Sequence, residues 1–367
     1  MEQQYSIFRN QKAWVVAVAA ILLASAAIFS YNALFGAPQK DAELEQFTIP
    51  TTTAEDHDKK IIDDSREIAE LLKEKGFIKS TLGFSIAFAG RISSRCVDCI
   101  GSGAYKLSKS MSVFEIARVL KKGPYMKWVV IPEGLRKEQI ADLIGDSLGW
   151  DEATKAKWIV TYTSMSYDEV EGLYFPDTYL IPVDEEPLKV ADRLRAKFNE
   201  AFAPYAKQAL EENIRWPTLL KVASLVQREA AGKGDMPVIA GILWNRLLKD
   251  MRLEVDATVQ YVRDDVIHYG EARYDKQPGN YSSEGGWWTP IKVADKDIAS
   301  PYNTYRNSGL PPHPIANPGI DAIKAALSPA ETKCLYYLHD NDRQIHCAVT
   351  YEEHKENIQK YLVANDQ

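Results

Sequence analysis

Residues 14–35 read WVVAVAAILLASAAIFSYNALF, a run with no charged side chain. A helix of about 20 apolar residues crosses a bilayer core, so this run is long enough to span one. Past it, apolar and polar positions mix as in a water-soluble protein. FTIP at 47–50 reads as a short strand. In 59–75 (KKIIDDSREIAELLKEK), Ile61, Ile62, Ile68, Ala69, Leu71 and Leu72 fall at near-helical spacing, and Gly76 is a stop. AYKLSKSMSVFEIARVLKKG (104–123) predicts a strand and a second amphipathic helix. Ser112 and Glu115 have the spacing of a capping box, and Gly123 ends the helix.

The same grammar returns at 128–149, with a VVI strand, a PEG turn and a helix over 136–148. Residues 187–213 predict a charged helix, and 216–231 and 236–250 two apolar ones. The stretch 264–300 is rich in Gly, Asp, Tyr and Trp and reads as a long surface loop. GLPPHPIANPG (309–319) is too rich in Pro and Gly for helix or central strand. Residues 320–327 predict a helix, CLYYLHDNDRQIHC (334–347) two strands around a polar turn, and 351–364 a closing helix. The expected fold class is α+β: an N-terminal transmembrane helix, a small α+β subdomain and a larger mixed α+β domain. The expected division is a tail at 1–12, an anchor at 13–35, a charged and poorly ordered linker at 36–46, the small subdomain at 47–125 and the large domain at 126–367.

Composition narrows the class. The 367 residues are 46% apolar and 26% charged, a globular balance that excludes wholesale disorder, collagen and a multi-span transporter. A net charge of −7 with no basic stripe argues against a nucleic-acid partner. No two of the six His have HExxH spacing, so no metal is expected. Arg9 and Lys12 precede the apolar run, whereas Lys40, Asp41, Glu43 and Glu45 follow it. The positive-inside rule then places residues 1–12 in the cytoplasm and the rest outside the plasma (inner) membrane, on a single-pass anchor. Ala24-Ser25-Ala26 resembles a signal-peptidase site, but the apolar run continues past it. In an oxidising compartment Cys334 and Cys347 could staple their hairpin. Cys96 and Cys99, in CVDC, read as a small loop disulfide, a redox pair or a metal half-site.

Chemistry concentrates in the two apolar helices. In WPTLLKVASLVQREAA (216–231), Leu219, Val222, Ala223, Val226 and Ala230 form one stripe, and Glu229 lies at its edge. A carboxylate against apolar neighbours holds its proton longer, as a general acid must; otherwise it is a boundary Glu reaching for water. In 236–251, Asn245 and Arg246 lie beside an apolar stripe. Asn245 fits a sugar amide or a bond to a neighbouring loop; Arg246 fits a carboxylate ligand or a pair with Glu254 or Asp256. Asp235 is a candidate cap for that helix, with Pro237 in its first turn. Trp287 and Trp288 suit a sugar platform or a loop anchor equally. Gly83–Ala87 lacks the second Gly of a nucleophile elbow, Asp340-Asn341-Asp342 reads as a turn rather than a calcium loop, and no phosphate-binding glycine motif occurs.

Together these segments resemble the MltG/YceG-like family of endolytic murein transglycosylases. The resemblance runs through SGAYKLSKSMSVFEIARVLKKG (102–123), similar to the family's LysM-like part, VVIPEGLRKEQIADLI (129–144) and EGLYFPDTYLIP (171–182). It is strongest over VASLVQREAA (222–231), LWNRLLKDMRLEVDATVQY (243–261), SPYNTYRNSGLPPHPIANPG (300–319) and IDAIKAALSPAETKCLYYL (320–338). It implies a catalytic Glu at the position of Glu229. It implies a peptidoglycan groove shaped by Asn245, Arg246, Thr258, Tyr302, Asn303, Thr304 and Asn317, no cofactor, and cell-wall synthases as partners beside the glycan strands. The family pattern has a second acid where this chain has Gln227, and often a Pro where it has Ala257. The reaction it implies is cleavage of the MurNAc–GlcNAc bond with 1,6-anhydro closure, ending strand growth. The rivals are a two-carboxylate hydrolase, with Glu254 or Asp256 as second acid, and an inactive peptidoglycan-binding scaffold.

Overall fold

The computed structural model describes residues 2–51, 65–89, 100–162, 164–165, 168–169, 171–269 and 286–363. The chain divides into two compact units. The first holds residues up to Trp128 together with Leu180–Val183; the second holds Val129–Tyr179 and everything from Asp184 onward.

In the first unit, α1 (Glu2–Phe35) contains the apolar stretch Trp14–Phe35. It is followed by β1 (Leu44–Ile49), α2 (Ser65–Glu74), α3 (Thr81–Ala89), β2 (Gly103–Ser108) and α4 (Val113–Lys122). β1 and β2 pair antiparallel, from Leu44 opposite Ser108 to Ile49 opposite Gly103. They belong to a four-stranded sheet of order β1-β2-β3-β6, where β3 is Met126–Val130 and β6 is Thr178–Pro182. Phe47 and Ile49 from β1, Ile68 and Leu72 from α2, Phe84 from α3, Tyr105 and Leu107 from β2, and Ile116 and Leu120 from α4 close one apolar core. Such burial is the main stabilising term in a unit this small. The Ser112–Glu115 capping box is formed: the Ser112 N–H donates to Glu115 at 2.7 Å, and the Glu115 N–H donates back to Ser112 at 3.4 Å.

One expectation is revised here, one is met over the part described, and one helix is new. β1 begins at Leu44, inside the stretch read as linker. The helix expected over 59–75 is described from Ser65, and residues 52–64 lie outside the described residues, as do Cys96 and Cys99. α3 was not foreseen. Its sequence TLGFSIAFA is mostly apolar, with apolar residues on opposite sides, so it lacks the period that betrays an amphipathic helix.

In the second unit, α5 (Lys137–Leu148) leads to α6 (Glu152–Lys157) and a π turn at Trp158–Tyr162. A two-stranded ribbon of β4 (Ser164–Met165) and β5 (Asp168–Glu169) follows. The helical body is α7 (Pro187–Glu211), α8 (Trp216–Glu229), α9 (Met236–Leu248), α10 (Asp256–Tyr269) and α11 (Ile320–Leu327). The stripe read in α8 is the core-facing one: Leu219, Val222, Ala223 and Val226 are fully buried with Ile239, Leu243 and Ile323. The loop expected from residue 264 starts later, because α10 runs to Tyr269; residues 270–285 lie outside the described residues. The hairpin β7 (Tyr336–His339) and β8 (Ile345–Ala348) is closed by a Cys334–Cys347 disulfide, and α12 (Tyr351–Ile358) follows it. Asp340 turns the hairpin by accepting from the N–H groups of Asp342 and Gln344.

Candidate active site

Glu229 is the last residue of α8. The chain leaves the helix at Ala230, whose backbone is extended. Its carboxylate is half-buried between three elements. Oε2 accepts the Tyr337 hydroxyl at 2.6 Å, and Oε1 faces the Ala257 N–H in the first turn of α10 at 3.5 Å. Burial pushes the Glu229 carboxyl above the usual carboxylate range, and the nearby Asp256 adds to the rise. The Tyr337 hydroxyl, the Ala257 N–H and His339 oppose it without cancelling it. A helix C-terminus also disfavours negative charge. The acid thus holds its proton longer than an ordinary Glu, yet has donors ready for the anion.

Tyr337 and His339 alternate on β7, so both face the same side. His339 Nε2 donates to Asp235 at 2.6 Å. Asp235 does not cap α9 forward as its position suggested. It reaches back to accept from the N–H groups of Ala231 (2.9 Å) and Gly232 (3.1 Å), fixing the turn after Glu229. Burial pushes Asp235 up, but these N–H groups and His339 hold it below the carboxylate range. Arg343 in the hairpin turn donates to the Ala231 carbonyl. The hairpin is therefore stitched to the segment leaving α8.

On the other side of Glu229, Thr258 and Thr304 are fully buried and bonded to each other at 3.0 Å. Thr258 also donates to the Val255 carbonyl, and Thr304 accepts the Val255 N–H. They lock the turn that delivers Asp256 and Ala257. Buried Asn303 donates to the Lys296 and Ile298 carbonyls and accepts the Tyr305 N–H. Tyr305 in turn donates to Asp256 at 2.5 Å. Thr258, Asn303 and Thr304 are thus buried behind the turn whose Ala257 N–H faces Glu229, as supports rather than as exposed ligands. Tyr302 is half-buried, with its ring 5.1 Å from that of Tyr261.

The other expected site residues make their hydrogen bonds elsewhere, mostly to backbone. Asn245 donates to the carbonyls of Thr332 and Cys334, at the root of the hairpin. Arg246 donates to Leu335 and Leu253, lies over the Tyr336 ring, and has Glu254 at 3.7 Å. Asn317 donates to Leu135 and Glu171 and accepts the Tyr174 N–H, pinning the PEG turn. Gln227 accepts the Gly319 N–H at 3.0 Å and does not touch Glu229. Trp288 lies against the Arg228 guanidinium and donates to Gln139, and Trp287 stacks on His268, so both are anchored. Tyr337 and His339 were missed as site residues, and Asp256 was weighed only as a partner of Arg246 or as the second acid of a hydrolase. The i, i+2 spacing of Tyr337 and His339 on a foreseen strand was the available signal.

A sequence model of the YceG-like family matches residues 62–360. The chain belongs to the YceG-like family. Among relatives, a Bacillus subtilis (strain 168) protein named endolytic murein transglycosylase is 29% identical over 324 residues, 82% of this chain and 82% of the relative. A Streptococcus pneumoniae (serotype 2, strain D39) protein of the same name is 26% identical over 330 residues, 81% of this chain. This YceG-like chain spans only 56% of that relative's length. The crystal structure of a yceG-like protein from Listeria monocytogenes covers 86% of this chain and 99% of its own, with TM-score 0.51 and 24% identity. That likeness supports the mixed α+β fold.

Proposed function

We propose that this protein is a membrane-anchored endolytic peptidoglycan lytic transglycosylase, with Glu229 as its single acid and base. The observation that carries the reading is the half-buried Glu229 carboxyl at the end of α8, raised by burial and met by the Tyr337 hydroxyl. Protonated Glu229 delivers its proton to the oxygen bridging MurNAc and GlcNAc. The C1–O bond breaks, the GlcNAc hydroxyl leaves, and positive charge develops at MurNAc C1. The carboxylate then takes the proton of the C6 hydroxyl as that oxygen closes on C1, giving a 1,6-anhydroMurNAc end. The sugar supplies its own nucleophile, so orientation and exclusion of water matter most, and no cofactor is called for. The names of the relatives support the substrate class.

The groove runs past Glu229 between the hairpin and the turn held by Thr258, Asn303 and Thr304. Tyr302 lines it, and Asn245, Arg246 and Asn317 hold its walls. Residues 47–125 act as a LysM-like subdomain and 126–367 as the catalytic domain. α1 holds both on the outer side of the plasma membrane, where newly made strands and their synthases are met.

Asp256 favours a second reading. It is close enough to raise Glu229, as the base of a two-carboxylate hydrolase would be. Mass spectrometry of peptidoglycan digested by the full chain, beside Glu229→Gln, decides between them. Anhydro ends from the wild type alone establish the lyase. Reducing ends mean that water enters, with Asp256 as second acid. Glycan binding without cleavage by either protein leaves only a scaffold.

A further inference from the structure

The first unit presents an apolar face that its own core does not use. α3 buries Phe84 and Phe88 on one side, while Leu82 (61% exposed) and Ile86 (49%) stand one turn apart on the other. Phe114, in the first turn of α4, is 43% exposed. In water such a face would be left uncovered, so its position in the unit matters.

α3 lies against the last turns of α1. Gly83 permits the approach, because a Cβ there would clash with the carbonyl oxygen of Leu34. Lys79 Nζ is 3.4 Å from the carbonyl oxygen of Asn32, and the Phe114 ring stacks on Phe35 at 5.1 Å. The apolar stretch of α1 ends at Phe35. At 1.5 Å per residue its 22 residues reach about 33 Å, the thickness of a hydrocarbon core with little to spare. The residues that α3 touches are therefore those at the boundary between acyl chains and headgroups. An ammonium group lies where α3 meets α1, that of Lys79. A Lys at the end of a spanning helix, its stem along apolar surface, suits a lipid boundary.

We propose that Leu82 and Ile86, with Phe114 beside them, dip into the lipid surface next to the anchor. The first unit is then held against the bilayer by a second contact, in addition to the chain leaving α1. The proposal rests on the reading of α1 as a spanning helix. It also accounts for a helix with apolar residues on two opposite sides: one side meets the protein core and the other meets lipid.

The test uses the full chain in vesicles of phosphatidylethanolamine and phosphatidylglycerol, doped with a lipid bearing a diazirine near the headgroup end of its acyl chain. After illumination, trypsin releases residues 13–40, carrying the anchor, and 80–91, carrying α3. Label on both peptides is expected. With Leu82→Glu and Ile86→Glu together, label on 80–91 should drop about fivefold or more while that on 13–40 stays, because charge is expelled from this layer. Leu82→Gln with Ile86→Gln, a milder pair on the same exposed positions, should give a smaller drop in the same direction. Label on 13–40 alone overturns the proposal and leaves the anchor intact. Undiminished label on 80–91 in the Glu variant overturns it too, since proximity to α1 would then suffice. Cross-links between two copies through Lys79, without lipid label on 80–91, would make a second copy the occupant. Absence of label on 13–40 would instead refute the spanning helix itself.

Discussion

In the proposed reaction Glu229 gives up a proton and recovers it within one turnover, so its surroundings must suit both states. Burial and Asp256 favour the acid, while Tyr337 favours the carboxylate. Tyr337→Phe removes the 2.6 Å donor and leaves the ring in place. The Glu229 pKa then climbs further, and the alkaline limb of the pH–rate profile should move up by about one unit. The plateau rate should fall about tenfold, because the carboxylate formed on proton transfer has lost its donor. An unmoved limb would mean that Tyr337 only fills space. The same rise has a consequence for folding. An acid whose pKa is higher folded than unfolded costs nothing below its unfolded pKa. It destabilises the fold increasingly as pH rises through the unfolded and then the folded value. Glu229→Gln should therefore melt like the wild type near pH 4 and at a higher temperature near pH 8. A melting difference that does not change with pH would contradict the burial argument.

At the scale of elements, the hairpin is the part whose integrity the acid depends on. Tyr337 sits directly opposite Cys347 in the β7–β8 register, so the disulfide fastens the strand pair where the hydroxyl is delivered. Replacing both Cys334 and Cys347 with Ala opens a loop 13 residues apart in sequence. Loop entropy then predicts a loss of about 2–3 kcal/mol, read by denaturant unfolding of the second unit, with a fall in cleavage rate. Full activity in that variant would show that Arg343 and His339 suffice to hold the strand. In the first unit, Ser112→Ala breaks the capping box of α4 and should cost about 1 kcal/mol. This hairpin and α8 were legible in advance because each has a period: two residues for β7, and about 3.6 for the stripe Leu219, Val222, Ala223, Val226. α11 also emerged where expected, bounded by the Pro-rich segment and Ser328. The partners of Glu229 were less legible. Tyr337 is 108 residues away and Ala257 is 28, and no local pattern records which strand a fold will lay over a helix end. Asn245, Arg246 and Asn317 matched family motif positions, but each spends its polar atoms mainly on backbone carbonyls or N–H groups, with Glu171 a further partner of Asn317. Motif position marks a residue the fold needs without separating a wall from a ligand.

At the scale of the whole chain, two unrelated pieces of physics bear on which side of the membrane it works. Arg9 and Lys12 precede the apolar stretch Trp14–Phe35, and the segment after it begins with more acid than base, the charge bias on which the proposed cytoplasmic N-terminus rests. The Cys334–Cys347 bond, some three hundred residues later in sequence, is of a kind that persists only where thiols are not kept reduced. Net charge does not separate the two sides, but the disulfide does, and it can be read in place. In intact spheroplasts a membrane-impermeant maleimide should leave tryptic peptides 334–343 and 344–355 unmodified. After a membrane-impermeant phosphine reductant is added, it should label both. Charge reversal at the tail, Arg9→Glu with Lys12→Glu, removes the orienting bias and should lower the fraction of chains labelled in this way. If the two peptides are labelled without reductant, and only after lysis, the second unit lies in the cytoplasm with its cysteines reduced. A peptidoglycan substrate would then be out of reach, whatever the geometry around Glu229.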